Sequence, residues 1–157
     1  MKIALLGNPG AGKSLIFNQL TGLGIELNRY PGSSVCLECG NVCYKKEKIE
    51  IIDLPGIYSL DGSSEEEILV RKFLEQGGAD IIVAVLDATK LERNLYLLTQ
   101  VIEFAPKIIV VVNKIDEAEH QGLVIDMDQI SSSLGAPVVL TAASEGRDID
   151  RILPLAL

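Results

Sequence analysis

A glycine-rich loop of eight residues, G-N-P-G-A-G-K-S from position 7, limits the folds open to this sequence. It matches the pattern G-x-x-x-x-G-K-[ST] and directly follows the apolar run 3–6. After the loop, Leu15, Ile16 and Leu20 recur at a helical spacing. This order of apolar run, loop and helix predicts a strand–loop–helix unit of a parallel sheet.

Loops of this pattern bind phosphate groups. Their glycines let the backbone curl so that successive N–H groups point at phosphate oxygens, and the start of the following helix adds partial positive charge. We expect Lys13 to reach the β- and γ-phosphates of a nucleotide and the Ser14 hydroxyl to ligate Mg2+. A plain glycine-rich turn is the alternative, and both spacing and context disfavour it. The residues of this segment that are predicted to bind the nucleotide are Gly7, Asn8, Pro9, Gly10, Ala11, Gly12, Lys13, Ser14 and Leu15.

A second motif, N-K-I-D at 113–116, follows the apolar run 107–112. The Asp116 carboxylate can accept hydrogen bonds from guanine N1–H and the 2-amino group, a donor pair that adenine lacks. Adenine would leave this desolvated carboxylate unpaired. The sequence therefore predicts a guanine base, held by Asn113, Lys114 and Asp116. The turn after the next apolar run is placed to touch guanine O6 through a backbone N–H, although a plain small-residue turn looks the same; its residues are Thr141, Ala142 and Ala143.

A third motif, D-L-P-G at 53–56, has the D-x-x-G arrangement of a γ-phosphate sensor. We expect Asp53 to hold Mg2+ through water, and the Gly56 N–H to bond the γ-phosphate until hydrolysis releases it. Ser33 and Ser34 are candidates for the hydroxyl that completes Mg2+ coordination, and two solvated loop serines are an equal alternative. Leu54 and Pro55, between the two ends of the motif, are predicted with Asp53 and Gly56 to bind the nucleotide. The predicted catalytic groups are Lys13, Ser34 and Gly56, and the predicted metal ligands are Ser14, Ser34 and Asp53.

Ile57 follows D-x-x-G at the place where Ras-type GTPases carry a glutamine that positions the attacking water. An aliphatic side chain cannot orient water by hydrogen bonding. The sequence therefore predicts slow intrinsic hydrolysis, unless a backbone group, another loop or a partner supplies this function.

At 157 residues the chain is long enough for one domain with a buried core, which we place at 1–157. Hydrophobic residues make up 48% of it, too many for a disordered chain. The formal net charge of -8 argues against a nucleic-acid surface, which needs clustered Lys and Arg. The apolar runs 81–86 and 108–112 have the lengths of buried strands, so we expect a soluble domain without direct membrane insertion.

One predicted strand, 35–44, contains all three cysteines, which are Cys36, Cys39 and Cys43. Thiolates at this spacing can bind zinc or an iron–sulfur cluster. Alternation along a strand, however, sends Cys36 to the face opposite the other two, and no histidine lies nearby as a fourth ligand. We therefore interpret them as inert residues in a reducing compartment. The single histidine, His120, lies in the polar stretch 117–122 and is expected to be a solvated loop residue.

Strand-like runs fall at 2–6, 35–44, 48–52, 80–86, 107–112 and 137–140, and helical patterns at 13–21, 64–76, 91–104, 127–134 and 148–157. Only the connection 45–47 separates the second and third runs, which predicts an antiparallel hairpin. The resulting α/β fold is of the P-loop GTPase (Ras-like) type, a six-stranded, mostly parallel sheet with one antiparallel edge strand and helices on both faces. The motifs lie at the carboxyl ends of its strands. The irregular stretches 22–34 and 55–63 flank the phosphate site and are predicted to sense the nucleotide.

Longer strings around these motifs, such as D-L-P-G-I-Y-S-L at 53–60 and D-A-T-K-L-E-R-N-L-Y-L at 87–97, resemble the cytosolic G domain of the prokaryotic ferrous-iron transport protein B family. L-T-G at 20–22, Y-P-G at 30–32 and D-E-A at 116–118 fit as well. The resemblance implies a GTP-binding domain excised from a longer membrane protein that takes up Fe2+ at the cytoplasmic face of the prokaryotic inner membrane. It also implies that GTP or GDP, bound with Mg2+, regulates or gates the attached transmembrane region.

The sequence departs from this family at four positions. Ser34 stands where the family has its Mg2+-binding threonine, and it keeps the hydroxyl but lacks the methyl group that restricts the rotamer. Gly10 lies where the family commonly has an Asn associated with K+ coordination, which argues against K+-stimulated hydrolysis. Arg29 interrupts the usual Asn-aromatic-Pro-Gly string, and Lys114 replaces a residue that is more often bulky and apolar.

Three other functions share some of these features. The domain could act as a GTP/GDP sensor whose output is loop rearrangement with little turnover. A ribosome-assembly or translation-associated GTPase carries the same motifs, but the basic RNA-binding surface of such proteins is missing here. An ATP-dependent kinase would leave N-K-I-D without a role. Association into a homo-oligomer is a further alternative that the sequence leaves open.

Overall fold

The computed structural model describes residues 1–22, 26–104 and 107–157. Within these residues, the strands of a single sheet are, in chain order, β1 (Lys2–Gly7), β2 (Glu26–Arg29), β3 (Cys36–Tyr44), β4 (Glu47–Asp53), β5 (Ile81–Asp87), β6 (Ile108–Asn113) and β7 (Val138–Leu140). Across the sheet their order is β2-β3-β4-β1-β5-β6-β7. β4, β1, β5, β6 and β7 run parallel, whereas β3 is antiparallel to β4 and β2 is antiparallel to β3.

Helices cover both faces of the sheet. They are α1 (Lys13–Thr21), α2 (Glu65–Glu75), α3 (Leu91–Val101), α4 (Ile115–His120), α5 (Met127–Leu134) and α6 (Ile152–Ala156). Because successive strand residues point to opposite faces, β1 sends Ile3 and Leu5 to one core and Ala4 and Leu6 to the other. The first core packs against α1 and α6, and the second against α2 and α3. No helix in the described part of the chain combines the length and apolarity that crossing a bilayer requires.

The predicted α/β class and the antiparallel β3–β4 hairpin are confirmed, but the sheet gains one strand. The additional strand, β2, falls in the stretch 22–34, for which the sequence predicts irregular structure and of which 23–25 lie outside the described residues. Its four residues are all exposed and read E-L-N-R, so they lack the apolar alternation that predicts a strand. This segment is a strand because it pairs with β3, not because of a pattern in its own sequence.

Two other predicted elements differ. The stretch 117–122, predicted to be a loop, begins inside α4, whose Ile115 and Ala118 face the core one turn apart. A helix of six residues is too short to show a clear period. His120 ends this helix, exposed, with Nδ1 2.9 Å from the Asp116 carbonyl oxygen. The helix predicted over 91–104 ends at Val101, and 105–106 lie outside the described residues.

The cysteines occupy β3 as predicted, with Cys36 and Cys43 exposed and Cys39 buried. Burial raises the pKa of the Cys39 thiol, which keeps this sulfur protonated. Among the residues that the structure describes, no group of three His, Cys, Asp or Glu side chains stands close enough to hold a metal ion. The interpretation of the cysteines as inert strand residues stays a prediction.

Candidate functional site

Four adjacent strands end side by side at one edge of the sheet, and three of their last residues belong to the motifs. β1 ends at Gly7, β4 at Asp53, β5 at Asp87 and β6 at Asn113. Parallel register aligns these ends, because Leu5 pairs with Asp53 and Asp87 pairs with Asn113. The carboxyl edge of the sheet therefore collects polar groups above a buried apolar core, which is where open α/β sheets bind ligands.

The phosphate loop (7–14) turns sharply between β1 and α1. Gly10 and Gly12 have φ values of 82° and 91°, which side chains with a Cβ rarely adopt. A Cβ on Gly12 would also collide with the side-chain amide of Asn113. A Cβ on Gly7 would lie 2.5 Å from the Val85 carbonyl oxygen. The glycines of the motif are thus required both by backbone conformation and by close neighbours.

Lys13, Ser14 and Asp53, which come from two separate motifs, contact one another beneath this loop. The Lys13 ammonium forms a buried ion pair with Asp53 Oδ1, and only 8% of the lysine is exposed. The Ser14 hydroxyl donates to Asp53 Oδ2 over 3.3 Å. A buried cation, a hydroxyl and a carboxylate at the start of a helix form a donor set that suits phosphate and a hard cation.

The D-x-x-G turn lies against the phosphate loop. A Cβ on Gly56 would be 3.1 Å from Pro9 Cα, so only glycine allows this approach without displacement. The Ile57 N–H donates to the Gly7 carbonyl, and the Ile57 side chain is only 3% exposed. Ile57 therefore belongs to the core and leaves the water-positioning role unfilled at this position.

The irregular loop 55–63, which follows Asp53–Leu54 of the D-x-x-G motif, is held by polar contacts to α2 and α3. Gln100 accepts a hydrogen bond from the Leu60 N–H and donates one to Asp61, each over 2.8 Å. Arg71 donates to the Leu60 carbonyl over 2.7 Å, and the Tyr96 hydroxyl donates to Asp61 over 3.0 Å. The bond to the Asp61 carboxylate raises the pKa of the Tyr96 hydroxyl. These contacts give the loop one defined position beside the phosphate loop.

Asn113 connects the phosphate loop to the turn after β7. Its Nδ2 donates to the Ala11 carbonyl over 3.0 Å. Its Oδ1 accepts from the Thr141 hydroxyl over 2.9 Å and from the Ala143 N–H over 3.0 Å. Asn113 is 2% exposed, so these contacts are shielded from water. That this side chain holds the base stays a prediction; in the structure it joins the phosphate loop to the turn after β7.

Lys114 and Asp116 of N-K-I-D lie at the start of α4, directly after β6. Lys114 has a φ of 64°, and its ammonium lies 3.3 Å from Asp87 Oδ2. Asp116 accepts a hydrogen bond from the Ser144 hydroxyl over 3.0 Å. Sequence reasoning missed Asp87 and Ser144, although a carboxylate directly after a buried run signals the first.

The tripeptide 141–143 uses all its N–H groups within the protein. Thr141 donates to the Val112 carbonyl, Ala142 to the Arg147 carbonyl and Ala143 to Asn113. The contact of this turn with guanine O6 therefore stays a prediction.

Ser34 is the one predicted metal ligand that the structure does not bring to the others. Its hydroxyl and N–H both bond the carboxylate of Glu65, the first residue of α2. Within the described chain, the cavity of about 490 Å³ beside the phosphate loop is lined by other residues, which are Asn8, Pro9, Gly10, Gly12, Lys13, Ser14, Leu15, Gly56 and Lys114.

A sheet of this strand order, with a lysine buried at the start of α1 against the carboxylate that ends β4, is the arrangement of Ras-like P-loop GTPases, and the chain is a GTPase domain of that class. The family model for ferrous iron transport protein B matches residues 1–155. The chain therefore belongs to the ferrous iron transport protein B family, as the resemblance predicted.

Relatives of known name agree with this assignment. The Fe(2+) transporter FeoB of Campylobacter jejuni is 39% identical over 153 residues, which cover 98% of this chain and 25% of the relative. The transporter of the same name from Salmonella typhimurium is 38% identical over 156 residues, which cover 97% of this chain and 20% of the relative. The chain thus spans a fifth to a quarter of the length of these relatives.

Solved structures of the family share the fold closely. The G domain of the T. maritima FeoB iron transporter superposes with a TM-score of 0.91 at 38% identity, covering 98% of this chain and 94% of that one. A GDP-bound variant of S. thermophilus NFeoB superposes with a TM-score of 0.92 at 43% identity, covering 99% of this chain and 61% of that one.

Proposed function

We propose that this domain binds GTP and GDP with Mg2+, hydrolyses GTP slowly, and regulates Fe2+ uptake by a membrane region of the same polypeptide. The observation that carries the proposal is one cavity of about 490 Å³ that joins the Lys13–Ser14 start of α1 to Gly56 and Lys114. A phosphate-binding end and a base-binding end thereby share one space. The GDP found in a related structure of the same fold supports this interpretation.

The residues beneath the phosphate loop suit a triphosphate with its metal ion. Mg2+, when bound, supplies positive charge to the β- and γ-phosphate oxygens. Ser14 Oγ and Asp53 Oδ2, which lie 3.3 Å apart, provide the oxygen donors that this ion prefers, and Asp53 would hold it through water. Lys13 would exchange its Asp53 partner for phosphate oxygens and stabilise the charge that develops as water attacks the γ-phosphorus in line.

Slow turnover follows from the position of Ile57. Its side chain is buried in the core, so no side chain at this position orients the attacking water. This observation also favours a second function, a GTP/GDP sensor whose useful output is loop rearrangement. Measured turnover separates the two, because a sensor needs nucleotide exchange and loop movement but little hydrolysis. The family assignment favours both over a ribosome-assembly GTPase.

The test of the proposal is titration with labelled GTP, GDP and ATP, followed by hydrolysis assays in K+ and Na+ buffers. We expect tight binding of GTP and GDP, weak binding of ATP, and slow turnover that does not depend on K+. Asp116→Asn should weaken GDP binding at least about tenfold, because a charged acceptor for guanine is lost. The control Glu117→Gln, at the neighbouring exposed carboxylate, should leave affinity unchanged. Equal affinity for ATP and GTP would overturn the guanine assignment.

A further inference from the structure

The carboxylate of Glu65 accepts several hydrogen bonds from the first switch loop (30–35). Ser33 Oγ donates to Glu65 Oε1 over 3.0 Å. The Ser34 N–H donates to the same oxygen over 2.6 Å. The Ser34 hydroxyl lies 2.8 Å from Oε1 and 2.7 Å from Oε2, within hydrogen-bond distance of both oxygens. One side chain at the start of α2 therefore holds two consecutive residues of the loop.

These contacts favour the ionised carboxylate. The Ser34 hydroxyl, the Ser34 N–H and the Ser33 hydroxyl, in that order, lower the pKa of the Glu65 carboxyl. Donors from two consecutive serines thus surround this carboxylate on the side that faces the first switch loop.

A second contact attaches the same loop to α2. The Tyr30 hydroxyl donates to Gln76 Oε1 over 2.9 Å, and the Tyr30 and Phe73 rings pack with centroids 6.4 Å apart. A cavity of about 290 Å³ lies between the loop and the helix, lined in part by Tyr30, Ser33 and Glu65. The loop is thus held at both ends of α2.

In GTPases a γ-phosphate and its Mg2+ order the first switch loop, and hydrolysis releases it. A hydroxyl and an N–H donor are the groups that an anionic phosphate and its metal ion recruit, and Ser34 offers both to Glu65. Resting on the proposed function, we infer that Glu65 is a positioning residue. Its carboxylate binds the Ser34 donors in place of the γ-phosphate and holds Ser34 in the position of the GDP-bound state. GDP binding leaves this contact intact, whereas GTP binding must break it. Glu65 therefore lowers affinity for GTP relative to GDP, because only a difference between the two states shifts an equilibrium.

The experiment compares Glu65→Ala and Glu65→Gln with the wild-type chain. Glu66→Ala is the matched control, because Glu66 is also an exposed carboxylate in the first turn of α2. Dissociation constants for fluorescent GDP and a non-hydrolysable GTP analogue are measured with Mg2+ in excess. Glu65→Ala should bind the GTP analogue about threefold to tenfold more tightly at unchanged GDP affinity, since exposed hydrogen bonds to a charge contribute modestly. Glu65→Gln should lie between, and Glu66→Ala should match the wild type.

Each outcome decides one question. An unchanged ratio of GDP to GTP-analogue affinity in Glu65→Ala, or the same change in Glu66→Ala, would overturn the role of Glu65. Equal tightening of both nucleotides would mean that the contact does not distinguish the two states and would also overturn it. Failure of the wild-type chain to bind either guanine nucleotide would instead overturn the proposed function. Because Glu65→Gln preserves the size of the side chain, it provides a folded variant in which the same ratio is measured.

Discussion

At the scale of single residues, Asn113 is a motif residue that connects segments far apart in the sequence. The sequence predicts that Asn113 holds the base, and the structure places this residue at the end of β6. Its partners, Ala11, Thr141 and Ala143, are at least 28 positions away along the chain. No local pattern identifies such partners, because they come together only when β1, β6 and β7 are aligned in the sheet.

We expect Asn113→Ala to destabilise the domain by about 2–4 kcal/mol. The substitution leaves a buried carbonyl, a hydroxyl and an N–H without their partner, and each unpaired group carries a desolvation cost. Denaturant unfolding of the nucleotide-free chain measures the change. Asn41→Ala, at an exposed position on β3, serves as control and should change stability by less than about 0.5 kcal/mol. A similar small effect for Asn113→Ala would show that its three contacts do not support the fold.

Ser34 is the opposite case at this scale. Its residue type and its position in a loop beside the phosphate site both suggest a metal ligand, and the structure places it on Glu65. Glu65 carries no motif that marks it in the sequence, since it is the first of three consecutive glutamates. Only the approach of the loop to α2 distinguishes it from its neighbours.

At the scale of elements, the phosphate loop and β2 differ in how far the sequence predicts them. The helix after the loop begins at Lys13, as the motif predicts, because the glycine spacing and the apolar period are both local signals. β2 has no such signal: its four residues are exposed, and among the described strands it pairs only with β3. Edge strands of this kind depend on their neighbour, so their existence is a tertiary property.

Gly12→Ala tests the packing of the phosphate loop as an element. At this position the φ of 91° is unfavourable for a residue with a Cβ, and the Cβ would also collide with the Asn113 amide. Gly77→Ala is the matched control, because Gly77 has a φ of 64° and a Cβ there would have open space, with no other described residue within 4 Å beyond its chain neighbours. We expect unfolding free energies to fall by about 1 kcal/mol for Gly77→Ala, from backbone strain alone, and by about 3 kcal/mol for Gly12→Ala. Equal losses would mean that Asn113 moves aside without cost.

At the scale of the whole molecule, two apolar cores enclose one polar edge. The interior strands β5 and β6 are buried along their full length, which supports the aligned strand ends that form the site. The predicted α/β class follows from alternating apolar runs and helical periods, which are present in the sequence. The formal net charge of -8 does not prevent phosphate binding, because Lys13 and the loop N–H groups act locally.

A ligand that binds the folded domain should stabilise the whole molecule. At a GDP concentration one hundred times the dissociation constant, linkage adds about 2.7 kcal/mol, provided that the unfolded chain does not bind. For a domain of this size, the unfolding midpoint should rise by about 5–10 °C in thermal scans with Mg2+. ATP at the same concentration is the control and should produce little shift. Equal shifts with both nucleotides would contradict guanine selectivity at the level of the intact fold.

The amino-acid sequence alone determined the class of fold, the phosphate loop and the order of its motifs, because glycine spacing, apolar period and residues at strand ends act over short distances along the chain. Tertiary structure alone decided which groups those motifs contact. It placed Lys13 on Asp53, Asn113 between two loops and Ser34 on Glu65, pairs separated by 28 to 102 positions. Such contacts depend on the strand register and on loops packing against α2, and those are set by burial of the two cores.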